Sequence, residues 1–255
     1  MTFYFFSMVF IIGLIIGSFL NCLIWRLYKN ETLGGRSYCP QCRKNIIWYD
    51  NIPVLSFFIL RGRCRQCQAR ISWQYPLVEI STAFLFLLSF RAEMFNPNLS
   101  LLILRDWFLI ITLVIVFVYD FRWQLVPMTI VWPMSVIIFI LNLLLGDNFL
   151  TLVFFGILGA AFFLIQYFLT KKKGVGEGDI WLGVLLGISF PSAGELLLIM
   201  VISYGLGAAL GLILISQQRK KWQSRIALGP FLALGAIITL IWGEAIINWY
   251  LNLFI

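Results

Sequence analysis

Eight stretches of this chain are apolar over lengths for which a water-soluble fold has no use. They fall at about residues 3–25, 76–91, 99–119, 126–145, 149–169, 180–191, 195–215 and 227–247. A helix rises about 1.5 Å per residue, so roughly 20 apolar residues carry it across a hydrocarbon core of about 30 Å. The balance of residue types agrees. Hydrophobic residues make up 61% of the chain and charged residues 12%, whereas soluble domains are about half apolar and a quarter charged. The expected fold class is an all-α polytopic membrane protein with about eight transmembrane helices. The sixth stretch is short, and its run from Ile180 to Phe190 spans only if the glycines before it or Pro191-Ser192-Ala193-Gly194 after it also enter the membrane. The first has no basic residue ahead of its apolar run and a positive flank behind it, which is the pattern of a retained span rather than a cleaved signal. Within it Gly13 and Gly17, four apart, suit close approach of another helix.

Orientation follows from Lys and Arg, which concentrate in short cytoplasmic loops. The segment 26–75 carries Arg26, Lys29, Arg36, Arg43, Lys44, Arg61, Arg63, Arg65 and Arg70. With sides alternating from there, Arg122, Lys171, Lys172, Lys173, Arg219, Lys220, Lys221 and Arg225 share that face, leaving only Arg91 and Arg105 elsewhere. The loop 26–75 is therefore expected in the cytoplasm and both termini outside. The formal charge of +8 is thus a matter of membrane sidedness and lipid contact, not a nucleic-acid surface. Two domains are expected: 1–75, one span with its loop, and 76–255, seven spans.

Histidine is absent, which removes His-based zinc catalysis and the Ser-His and Cys-His nucleophilic machineries. Chemistry is left to carboxylates, thiols and amines. Four of the five cysteines form two pairs in the loop, Cys39-Pro40-Gln41-Cys42 and Cys64-Arg65-Gln66-Cys67. Two C-x-x-C turns at this separation have the spacing of a zinc ribbon, in which four thiolates complete a tetrahedral structural site. Two disulfides or four plain thiols are the alternatives, and the reducing compartment assigned to the loop disfavours the first. Cys22, inside the first span, reads as a packing residue.

Two of the eleven acids stand out. Asp120 ends the run from Ile110 to Tyr119, and Asp179 opens the sixth stretch directly after Gly174-Val175-Gly176-Glu177-Gly178. Ionisable groups at the edge of membrane spans are costly and are functional candidates. Two stretches separate them, so parity alone puts both on one face. A pair of carboxyls that shares a proton can activate water with one member and protonate the leaving amine with the other. Helix ends suggest Asp179, at an N-terminus, as the base and Asp120, at a C-terminus, as the acid. Gly176 and Gly178 leave room for a substrate backbone beside Asp179. Against this, Asp179 alone reads as a helix cap and Asp120 alone as a partner for Arg122. A proton- or cation-coupled transporter using the same two carboxylates is a competing function, as is a membrane anchor for a metal-held binding loop.

Several segments together resemble the type IV prepilin peptidases, the leader peptidase and N-methyltransferase family. They are Gly17-Ser18-Phe19-Leu20-Asn21-Cys22 through Arg26-Leu27, both cysteine pairs, Tyr75-Pro76-Leu77-Val78-Glu79, Asp120 with Val126-Pro127, Gly176-Glu177-Gly178-Asp179, and Leu228-Gly229-Pro230-Phe231-Leu232-Ala233. The resemblance implies a multi-pass enzyme of the bacterial plasma (inner) membrane. It would be an aspartyl endopeptidase with Asp120 and Asp179 catalytic, cutting the basic leader from prepilins or pseudopilins at the cytoplasmic face. It further implies S-adenosylmethionine-dependent methylation of the new N-terminus, associated with the loop unit. Glu79 becomes a candidate functional acid, with an internal hydrogen-bonding role equally open. The chain departs from the family where Met128 replaces an aspartate after the proline and Trp181 replaces a lysine two residues beyond the second catalytic aspartate.

Overall fold

The computed structural model describes residues 2–32, 34–90, 97–172, 174–217 and 227–253. Of the basic residues used above for sidedness, Arg91, Lys173, Arg219, Lys220, Lys221 and Arg225 lie outside the described residues. The architecture is helical. The β pairing found among the described residues amounts to two isolated bridges, Tyr38 with Asn45 and Arg63 with Arg70.

The chain divides into two compact units, Met1–Ala92 and Glu93–Ile255. In the first, α1 (Thr2–Lys29) leads through the cysteine loop, with a 3-10 turn at Trp48–Asn51 and the short α2 (Leu55–Ile59), to α3 (Gln74–Ser89). α3 belongs with α1 because small residues let the two backbones touch. A Cβ on Gly13 would stand 2.5 Å from the Cα of Ala83, and one on Gly17 would stand 2.7 Å from the Cα of Glu79. The structural division thus falls one helix later than residue 75, where the loop ends.

The second unit contains α4 (Pro97–Trp123), α5 (Met128–Leu144), α6 (Phe149–Leu169), α7 (Glu177–Ser189), α8 (Ala193–Ser216) and α9 (Gly229–Leu251). Eight of these nine helices coincide with the eight apolar stretches. Five of them are long and apolar enough to cross a membrane unaided: α1, α4, α6, α8 and α9. The protein is accordingly a multi-pass membrane protein. The count of eight spans is not established by this criterion, since α3, α5 and α7 have only 16, 17 and 13 residues.

α7, at 13 residues, is about 20 Å long, and its placement explains how so short a helix is tolerated. It lies on α6 along a glycine seam. A Cβ on Gly159 would be 2.2 Å from the carbonyl oxygen of Gly183, and one on Gly187 would be 2.0 Å from that of Phe155. Backbones at this separation need glycine on both sides. The carbonyls at the end of α7 have no partners within the helix and are met from neighbouring helices. Asn142 Nδ2 donates to the Ile188 carbonyl at 2.7 Å, and the Arg105 guanidinium donates to that of Ser189 at 3.1 Å. Arg105, the basic residue that stood apart in the sequence, also pairs with Asp106 at 3.1 Å.

Candidate active site and candidate metal centre

Asp120 lies in the last turn of α4 and is buried. Its Oδ2 accepts the backbone N–H of Gly229 at 2.9 Å, the first residue of α9, whose opening turn also carries Pro230. Gly229 has to be glycine, because a Cβ there would stand 2.5 Å from that same oxygen. Proline near the first helical position is a helix-start signal, so Gly229-Pro230 was readable as a terminus but not as the partner of a residue 109 positions away. Arg122 instead places its guanidinium over the Trp123 ring.

Asp179 is the third residue of α7 and is also buried. Its Oδ2 accepts the N–H of Gly176 at 2.9 Å while its own N–H donates to the Gly176 carbonyl at 3.1 Å. The pair is a reciprocal cap in which backbone replaces the usual side chain. The neighbouring Glu177 accepts from the Tyr167 hydroxyl at 2.7 Å. The two aspartates, on α4 and α7, are brought within electrostatic reach of each other. Tyr204 of α8, whose hydroxyl donates to Gln166 Oε1 at 2.7 Å, lies within electrostatic range of Asp179. Nothing in the sequence marked Tyr204 or Gln166, since a single polar residue in an apolar span carries no period or spacing.

Helix ends do not separate the two aspartates. Asp120 does end its own helix, but its carboxylate meets the N-terminus of α9, so both aspartates face the positive end of a helix dipole. Dipoles therefore no longer distinguish acid from base. The two glycines also separate. Gly176 is exposed, and a Cβ on it would be no closer than 3.6 Å to another atom, the Oδ2 of Asp179. Gly178 packs on the start of α5, where a Cβ would stand 2.7 Å from the Val126 side chain and 3.3 Å from Met128 Cε.

The two departures from the family pattern fall on this same junction. Met128 covers Gly178, and Trp181 meets Trp132 with ring centroids 4.3 Å apart. Apolar contact thus holds α5 to α7 at both positions.

Glu79 sits in the other unit, buried on α3, and its Oε2 accepts the backbone N–H of Val54 at 2.7 Å. Val54 has a φ of 61°, a left-handed conformation that a β-branched residue seldom adopts. The alternative role of internal hydrogen-bonding acid therefore has a definite partner.

The four loop cysteines converge, with sulfurs all within 4.8 Å of one another and Cys39 Sγ 3.8 Å from Cys67 Sγ. Thiolates at about 2.3 Å from a tetrahedral zinc are about 3.8 Å apart, so the donor set fits such an ion. None of the four is in a disulfide. The two turns repeat one geometry. Cys39 donates to the Lys44 carbonyl and accepts from the Arg43 N–H, and Cys64 does likewise with Ala69 and Gln68. Arg43 and Gln68 occupy matching left-handed positions, at φ 56° and 58°. The N–H of Cys67 is the main cause that lowers the Cys64 thiol to about 7, which readies it as a ligand. The loop is zinc-ribbon-like.

Comparison with known proteins gives the lineage. The model of the "Bacterial Peptidase A24 N-terminal domain" matches residues 11–92, and that of the "Type IV leader peptidase family" matches residues 107–212. The chain is 34% identical to the prepilin leader peptidase/N-methyltransferase of Aeromonas hydrophila, covering 98% of this chain and 95% of that protein. The chain belongs to the type IV leader peptidase family. It is likewise 31% identical to the prepilin leader peptidase/N-methyltransferase of Legionella pneumophila, over 94% of this chain and 92% of the relative, and to that of Bacillus subtilis (strain 168), over 97% and 98%. No solved structure matches the chain. The first match ends at the boundary between the two compact units.

Proposed function

We propose that this family member is a prepilin leader peptidase of the bacterial inner membrane, in which Asp120 and Asp179 form an aspartyl dyad at the cytoplasmic face. What supports this reading most is that two buried carboxyls, from helices far apart in sequence, are each held by a backbone N–H and lie in each other's field. One carboxylate takes a proton from water as it attacks the scissile carbonyl, and the other gives a proton to the departing amine. Tyr204 lies within electrostatic range of Asp179, and exposed Gly176 leaves space for an extended backbone beside Asp179. The substrate is a prepilin or pseudopilin whose basic leader is removed. Headgroups of anionic lipid offset the repulsion between that leader and the basic loop. The reading extends to transfer of a methyl group from S-adenosylmethionine to the new N-terminus, associated with the first unit, and to zinc held by Cys39, Cys42, Cys64 and Cys67. The transporter reading of the two aspartates finds no support in the family match.

The deciding experiment incubates the purified protein with a prepilin-like peptide and compares it with Asp120→Asn and Asp179→Asn. Cleavage that survives both substitutions refutes the dyad. Product mass with and without S-adenosylmethionine reads methylation in the same sample.

A further inference from the structure

The depth of α2 can be fixed by counting along α1. The candidate span on α1 is Tyr4–Lys29, and about 20 of its residues fill the hydrocarbon core. Whichever 20-residue window is chosen, Gly17 lies at least six residues, or about 9 Å, inside the edge nearest the cysteine loop. Gly17 is level with Glu79, since a Cβ on it would touch the Glu79 backbone. Glu79 in turn holds the N–H of Val54, the residue directly before α2. The chain at Val54 is therefore within the depth of the acyl chains, although it lies in the middle of a loop. A backbone N–H at that depth has no water to bond and needs a protein acceptor. Glu79 supplies it.

The side chains that follow suit that depth. Leu55, Phe58 and Ile59 of α2 are 60%, 58% and 72% exposed, and Trp73, just before α3, is 62% exposed. Phe58 and Trp73 touch, with ring centroids 6.4 Å apart. Trp73 begins a row of outward residues on α3 that continues through Leu77, Phe84 and Leu88, spaced 4, 7 and 4 residues apart along one helix face. The apolar side of α2 is thus continuous with the lipid-facing stripe of a membrane helix. Beyond α2 the chain turns through Arg61 and Gly62, both left-handed, and reaches Arg63. The loop's two acids are engaged elsewhere. Asp50 forms a two-point pair with Arg65, and Glu31 accepts from the Tyr38 hydroxyl.

From this we infer that residues 53–60 re-enter the bilayer on the loop side. Leu55, Phe58 and Ile59 lie against acyl chains, and Arg61 and Arg63 reach up to the phosphates of anionic phospholipid. Glu79 is the anchor that fixes this segment. Arginine suits the last step because its long apolar stem crosses the boundary while the guanidinium stays at the headgroups.

The test places a photoreactive benzophenone side chain at Phe58, at Ile59 or at Lys44 in the full chain. The variants are reconstituted in vesicles of phosphatidylethanolamine and phosphatidylglycerol. Irradiation should add the mass of a phospholipid at positions 58 and 59 several-fold more often than at 44. In the mixed vesicles the phosphatidylglycerol share of the adducts at 59 should exceed its share of the lipid several-fold, and Arg61→Gln with Arg63→Gln should bring it down to that share. Equal yields at 44, 58 and 59, or chain-to-chain adducts in place of lipid, would overturn the inference. Yield indifferent to lipid charge would overturn the headgroup contact. Hydroxyl-radical footprinting of the unsubstituted protein in the same vesicles guards against a folding artefact. Phe58 and Trp73 should be labelled several-fold less than in the denatured chain, and labelling at the denatured level would also refute insertion.

Discussion

Both units press a short helix onto a longer one through glycines, and both bury carboxylates beside the contact, yet they use those carboxylates differently. In the first, Gly13 and Gly17 admit α3 to α1, and Glu79 spends its oxygen on the N–H of Val54. In the second, Gly159, Gly183 and Gly187 admit α7 to α6, while Asp120 and Asp179 accept the N–H groups of Gly229 and Gly176. Each acid accepts a backbone N–H, from Val54, Gly229 or Gly176. What sets the second unit apart is that two of its buried acids lie close enough for the charge of Asp179 to act on Asp120. A single acid with one donor is a structural device. Two with overlapping fields can divide the labour of acid and base.

The sharpest way to break this contrast is to remove charge while keeping shape. Asp120→Asn or Asp179→Asn should each lower cleavage of a prepilin-like peptide by roughly 10²–10⁴-fold, the scale of positioned acid–base catalysis, with the thermal midpoint in detergent little changed. Glu79→Gln should leave cleavage within a few-fold, since the amide oxygen still accepts from Val54. If Glu79→Gln is as damaging as the aspartate variants, the division between the units fails.

The two glycine seams should respond by geometry. Gly183→Val puts carbon into a gap where even a Cβ stands 2.4 Å from the Gly159 carbonyl oxygen. Little folded protein should survive, as judged by size-exclusion recovery, because overpacking commonly costs about 1–3 kcal/mol and here backbone must move. Gly178→Ala meets the end of a flexible side chain as well as Val126, so its loss should be smaller.

How much of this was legible in sequence follows from range. Apolar runs located eight helices, five of them long enough to span a membrane, because an apolar run is a local signal. The C-x-x-C pairs gave the metal cradle for the same reason, since each half is a closed turn. Parity led to the expectation that Asp120 and Asp179 share one face, and the structure brings the two within electrostatic range. What stayed hidden depends on pairings remote in the chain. The meeting of Asp120 with Gly229 removed the distinction drawn from helix ends. The docking of Gly178 on Val126 and Met128 gave a packing reason to a glycine read as space for substrate. Asn142 and Arg105, which close the short end of α7, had no local signature at all.

Gly229 offers a finer probe of the dyad. Gly229→Ala places a methyl 2.5 Å from Asp120 Oδ2 and should shift that carboxyl rather than unfold α9, where alanine is a better helix former than glycine. The expected outcome is a fall of about 10–100-fold in kcat, the scale of an ångström-sized misplacement, with KM and thermal midpoint nearly constant. A fall in KM-limited binding alone would place Gly229 on the substrate path instead.

The smallest effect on peptide cleavage should come from the cysteine loop, since its metal cradle lies in the other unit. Zinc binding there requires thiolates, so zinc retained after dialysis should be near one per chain at neutral pH and fall on acidification, because protons compete for the four sulfurs. Treatment of the zinc-loaded protein with a chelator should loosen the loop, seen as faster amide exchange around the bridges Tyr38–Asn45 and Arg63–Arg70, while peptide cleavage changes by less than a few-fold. A collapse of cleavage on chelation would mean that the loop reaches the dyad and that the two units do not act separately. Loss of methylation with cleavage intact would instead assign the metal-held loop to the second step of the reaction.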